Sequence, residues 1–102
     1  MSAEAVEVNT LTVTAGASSA GNITIKLDTI PFTVALEATD TTAANVAARI
    51  RAATFDGWVV SGSDDTVVFT STSAGPRTTG TFDGGATSAA ATFAKTTTGA
   101  GG

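Results

Sequence analysis

Two short runs constrain this chain more than any other feature. Ile23, Ile25 and Leu27 alternate with Thr24 and Lys26, and after only Asp28-Thr29, Ile30, Phe32, Val34 and Leu36 alternate with Thr33 and Ala35. A period of two buries one face of a sheet, and a two-residue connection between two such runs is a hairpin. The apolar set moves from odd to even numbers across the turn, as an antiparallel pair requires if Leu27 and Ile30 are to share a side. Pro31 falls on the other parity and has no amide proton to donate. It belongs on an edge or at a bulge, where it becomes a candidate contact residue.

The rest of the chain is organised around that hairpin. Val6, Val8, Leu11 and Val13 form a first strand whose parity slips, so a bulge or break near Asn9-Thr10 is needed if all four face one core. Residues 15–21 are small and turn-forming, and read as a loop. One helix is expected, capped by Asp40 or Thr39, with Ala43, Val46, Ala47, Ile50 and Ala53 on its buried stripe and Asp56-Gly57 ending it. Asn45, Arg49 and Arg51 are left for solvent or a rim. A second hairpin follows, with Trp58 and Val60 before the turn Gly62-Ser63-Asp64-Asp65 and Val67, Val68 and Phe69 after it. Weak strands around 79–82 and 90–96 are separated by Asp83-Gly84-Gly85. The expected fold is α+β but mostly β: an antiparallel, sandwich-like domain of about six or seven strands, in the order β-β-β-α-β-β plus the weak C-terminal strands. Residues 1–98 form the one domain that 102 residues allow, and 99–102 form a flexible Gly-rich tail.

Composition removes most chemistries. Val, Leu, Ile and Phe together number only 21 in 102 residues, at the roughly 20% level below which chains tend to be disordered. The absence of Cys excludes disulfides and thiolate metal sites, and the absence of His removes the usual general base, proton shuttle and zinc ligand. Glu37, Asp40, Asp56, Asp64, Asp65 and Asp83 sit mostly at turn and cap positions, where a carboxylate binds backbone amides. Asp64 and Asp65 would hold a hard cation with Asp83 only if their loops met, and the spacing is not that of a calcium loop. The reading is therefore of a protein that is not an enzyme and carries no metal or cofactor.

A net charge of -4 repels a phosphate backbone, so nucleic acid is not an expected partner. Residues 1–7 carry neither a basic nor an apolar leader region, and no run is long enough to span a membrane. With only 14% charged residues, the surface must be Thr, Ser, Gly and Ala, which are poor at keeping identical molecules apart. A place in an assembly, held by other copies or by a larger shell, is the expected consequence. Phe82 and Phe93, isolated among small residues, are the leading candidates for contacts beyond the core. Trp58 could be an interface anchor or a core ring. Arg49 beside Asn45 is placed to reach a neighbouring subunit. Asn22-Ile23-Thr24 matches a glycosylation sequon but reads as ordinary strand.

The runs 20–25, 32–36 and 40–50, then Gly57-Trp58 and 66–70, centred on the helix Asp40-Thr41-Thr42-Ala43-Ala44-Asn45-Val46-Ala47, together resemble small modules of tailed-bacteriophage virion proteins. The resemblance covers about residues 10–75, and the chain departs from it at Asp28-Thr29, where such modules more often place a Gly-containing turn. It implies a structural virion protein assembled in the host cytoplasm, foremost a capsid decoration (cement) protein that contacts the major capsid protein and other copies of itself, as a trimer or another small oligomer. A tail or fibre component is the second expectation. A carbohydrate-binding or adhesion module using Trp58 and the Asp-rich turns is the third.

Overall fold

The computed structural model describes residues 4–101; residues 1–3 and 102 lie outside the described part. Along the chain run β1 (Val6–Ala15), β2 (Gly21–Leu27), β3 (Ile30–Leu36), α1 (Ala43–Arg51), β4 (Trp58–Ser61), β5 (Thr66–Ala74), β6 (Thr81–Asp83), a 3-10 turn (Gly85–Thr87) and β7 (Ala90–Thr97). The strands make two antiparallel sheets, one of four in the order β4-β5-β1-β7 and one of three in the order β3-β2-β6. This is the mostly β, sandwich-like α+β architecture that the alternation implied. Between the sheets lies one core that includes Leu11, Val13, Ile23, Ile25, Leu27, Val67 and Phe69. Aromatic edges run through it, Phe32 to Phe55 at 5.2 Å and Phe55 to Phe69 at 5.0 Å between ring centres.

The first hairpin forms as its parity required, with Leu27 opposite Ile30. Asp28 and Thr29 have φ of 51° and 68°, the left-handed pair whose twist matches the strands it joins. A β-branched Thr tolerates that conformation less well than the glycine usually found there. A pair flanking a two-residue turn exchanges both hydrogen bonds, and bonded and unbonded positions then alternate. Pro31 consequently aims its missing donor away from β2, and β3 is indeed an edge strand.

The helix differs in both its ends from the sequence expectation. Its cap is Thr42, whose hydroxyl accepts the Asn45 amide at 3.1 Å. Asp40 is instead buried before the helix, where its carboxylate takes the Glu37 amide at 2.8 Å and its backbone carbonyl takes the Ala17 amide at 2.8 Å. The helix stops at Arg51, short of Asp56-Gly57, because the following segment turns inward to bury Phe55. Val46, Ala47 and Ile50 are the buried residues of α1, which packs against β1, β3 and β5.

The first strand is also corrected. It runs unbroken, and its inward residues are Glu7, Asn9, Leu11 and Val13, so Val6 and Val8 do not share the face of Leu11. Irregularity is real but is accommodated in the pairing: the register shifts between Val6 and Val8 against β5, and between Val8 and Asn9 against β7. The strand keeps its alternation by burying two polar side chains at one end. Where a flexible tail was expected over 99–102, the described part is hydrogen-bonded: Ala5 and Ala100 exchange two backbone bonds of 2.9 and 3.0 Å, and the Gly99 amide donates to Glu7 at 2.8 Å.

Candidate interaction surface

The outer face of the four-stranded sheet is built from residues that the alternation turns away from the core. Pairing aligns them in three transverse rows: Val59, Thr70, Val8 and Thr97; Ser61, Val68, Thr10 and Ala94; and Thr66, Thr12 and Thr92. No ionisable residue lies in these rows. The two charged residues of the four strands, Glu7 and Lys95, are on the inward parity. Val59 is 58% exposed, one of two large apolar side chains so placed among the described residues, the other being Ile30. The Thr10 and Thr96 hydroxyls bond to each other, which holds the β1–β7 part of the face in register. The outer face of the smaller sheet is different in kind, because Lys26 sits between Pro31 and Thr81, and Asp83 sits opposite Thr24.

The expected contact residues take varied positions. Phe82, opposite Ile25, and Phe93, opposite Leu11, are partly buried and packed against the core, with Phe93 5.8 Å from Phe69 between ring centres. Trp58 is likewise half-buried against the core, while Pro31 is exposed on the β3 edge. Arg49 is engaged within its own chain: its guanidinium holds Asp40 through contacts of 3.1 and 3.3 Å and reaches Glu37 at 3.4 Å. The reason is electrostatic, since a carboxylate as buried as Asp40 needs a counter-charge. With Arg49 and the Glu37 amide, Asp40 titrates below its ordinary value. An open depression of about 250 Å³ lies here, lined by Asp40, Asn45, Ala48, Arg49 and Ala52. It contains no hydroxyl, thiol or free base with which to begin a nucleophilic reaction. Arg51, expected in solvent or at a rim, donates to the Asp64 and Thr66 carbonyls at 3.1 and 2.8 Å, and so ties α1 to the second hairpin.

Sequence reasoning missed the polar cluster at the other end of the sandwich. Glu7 is fully buried; one carboxylate oxygen accepts from the Gly99 amide at 2.8 Å, and the other accepts from Asn9 at 2.8 Å and from Lys95 at 3.2 Å. Asn9 in turn accepts the Gly80 amide at 2.8 Å, and Lys95 also donates to the Arg77 carbonyl at 3.0 Å. Burial alone pushes the Glu7 carboxyl up, but the Gly99 amide, Asn9 and Lys95 outweigh it and hold the group below its ordinary value. The available signal was parity: Glu7 and Asn9 share odd numbers with Leu11 and Val13. Among the described residues no group of three or more acidic side chains converges as a cation site, so Asp64, Asp65 and Asp83 do not meet. Among those residues no helix is long and apolar enough to cross a membrane.

No family model matches the chain, and no curated protein matches it.

Proposed function

We propose that the chain is a structural virion protein of a tailed bacteriophage, foremost a capsid decoration protein, which works by contact area and not by chemistry. The observation that carries this reading is the uncharged outer face of the four-stranded sheet, built from Thr, Val, Ser and Ala in three aligned rows. Such a face has nothing to polarise a bond or hold an ion, and it can be covered by another protein without stranding a charge. Six of the ionisable residues have structural duties: Asp40, Arg49 and Glu37 brace the start of α1, Glu7 and Lys95 join β1 to the segment around Gly99, and Arg51 braces a turn. The virion resemblance of residues 10–75 supports the setting. The test is to purify particles and measure where the protein resides. A decoration protein remains with heads at a fixed ratio to the major capsid protein, and heads lacking it lose resistance to heat. Recovery with tails assigns the chain to the tail or fibre, and recovery with neither removes the reading.

A further inference from the structure

We infer that the outer face of the four-stranded sheet docks on the same face of a second copy of this chain, about a two-fold axis passing near Thr10 and Val68. This deepens the contact-protein reading above, and rests on it, by naming the partner.

Identical chains can associate through sheet edges or sheet faces, and the edges here are blunted. β4 is four residues long, and its Trp58 amide is already given to the Phe55 carbonyl at 2.9 Å. β7 is flanked by residues 77–82: Lys95 donates to the Arg77 carbonyl, and the Phe93 ring lies against Gly80 so closely that a side chain there would strike it. β3 carries Pro31 on its open side, and β6 has three residues. Short strands, covering segments and proline are the devices that stop one sheet from extending another.

Charge then separates the two faces. Near a two-fold axis each residue meets its own copy, so a single ionisable group there would face a like charge. The face of the smaller sheet carries Lys26 and Asp83, whereas the three rows of the larger face carry no ionisable group. For a chain of net charge -4, this is a surface on which a copy can approach without its carboxylates opposing one another. An unlike partner would not demand this neutrality, because a complementary charge would serve it as well.

The area suffices for a modest complex. Strands of four, nine, ten and eight residues, at about 3.3 Å rise and about 4.8 Å spacing, give roughly 500 Å² per copy, hence about 1,000 Å² in total, the lower bound for a specific interface. Thr, Val and Ala are small enough to interleave, as two packed sheets do, while Thr hydroxyls can bond across the seam.

The test is sedimentation of the full chain across concentrations up to about 1 mM, with circular dichroism to verify that each variant is folded. Wild type should show a reversible monomer–dimer equilibrium. Thr10→Lys and Thr10→Glu should each weaken it at least tenfold by placing like charges near the axis, and mixing the two should restore a dimer. Lys26→Glu, on the opposite face, should leave it unchanged. Wild type that is monomeric throughout, or dimers indifferent to both Thr10 variants, would overturn the inference. The two readings fail separately. A protein that binds heads but is monomeric in solution keeps its decoration role and loses this dimer, whereas one that dimerises through this face but never accompanies particles keeps the dimer and loses the virion role.

Discussion

The two ends of the sandwich are closed by opposite means. At one end α1 lowers Val46, Ala47 and Ile50 onto β1, β3 and β5, and Phe55 follows them into the core. At the other, where Ala5 meets Ala100, Glu7, Asn9 and Lys95 bind Gly80, Gly99 and the Arg77 carbonyl. Apolar closure is additive in area and forgiving of direction. Polar closure is directional, and losing one member leaves the others buried without partners. Damage at the helix end should therefore lower stability of the whole molecule, while damage at the polar end should first free the Ala5 and Gly99–Ala100 segments.

The largest expected effect is at the apolar end. Phe55 is 2% exposed and touches the rings of both Phe32 and Phe69, so Phe55→Ala should cost about 3–5 kcal/mol. Urea unfolding followed by far-ultraviolet circular dichroism and by Trp58 fluorescence should show both signals shifting together. A loss below about 1 kcal/mol would mean that the aromatic row is not the keystone of this end.

Glu7→Ala should come next, at about 2–4 kcal/mol, because it strands the Asn9 amide group and the Gly99 amide while Lys95 can still turn to solvent. Its distinguishing mark is spatial. Hydrogen exchange should accelerate at the Gly99 and Ala100 amides well before those of α1 and β2. Uniform acceleration over the molecule would show that the two ends unfold as one.

These two ends differ also in how legible they were. The hairpin of 23–36, the helix stripe and the second hairpin follow from periodicity, since their buried positions, Ser71 excepted, repeat an apolar residue at the spacing of the element. Glu7 and Asn9 break that code, because hydropathy ranks them as surface and only their long-range partners, at positions 80, 95 and 99, make burial favourable. Valine at 6 and 8 then drew the first strand toward the wrong parity. The cap at Thr42 was hidden for a related reason: Asp40 is the stronger-looking cap, and only Arg49, nine residues later, explains why it is used elsewhere. The uncharged outer face was legible as composition, but not as a surface, until the register aligned Val68 with Thr10 and Thr10 with Ala94.

A smaller change should strengthen the polar end. Thr29 holds φ of 68° in the turn beside Asp28, whose carboxylate accepts the Thr78 amide at 2.9 Å. Thr29→Gly relieves a β-branched residue from that conformation and should raise stability by about 1 kcal/mol, read as a higher urea midpoint with unchanged slope. A decrease would mean that Thr29 contributes packing that outweighs its backbone strain.

The finest distinction is between two carboxylates, one at each end, that titrate below their ordinary values, Glu7 and Asp40. In both, the unfolded chain takes up its proton first as the solution is acidified. Each therefore contributes stability that is full above the unfolded pKa, near 4.5 for Glu7 and 3.8 for Asp40, and that is lost as pH falls through the lower folded value. Glu7→Gln and Asp40→Asn should each flatten the acid limb of the stability curve. Salt separates them, because Arg49 is the leading cause for Asp40 whereas the uncharged Gly99 amide and Asn9 come ahead of Lys95 for Glu7. The two cations are similarly exposed, at 38% and 30%, and screening over about 3 Å at 1 M salt acts on ion pairs and not on neutral donors. High salt should thus shrink the effect of Asp40→Asn, within about 1 kcal/mol to begin with, and leave that of Glu7→Gln nearly intact. Acid titrations of both variants at low and high salt decide the matter, because equal salt sensitivity would show that Lys95, and not the Gly99 amide and Asn9, holds Glu7 ionised.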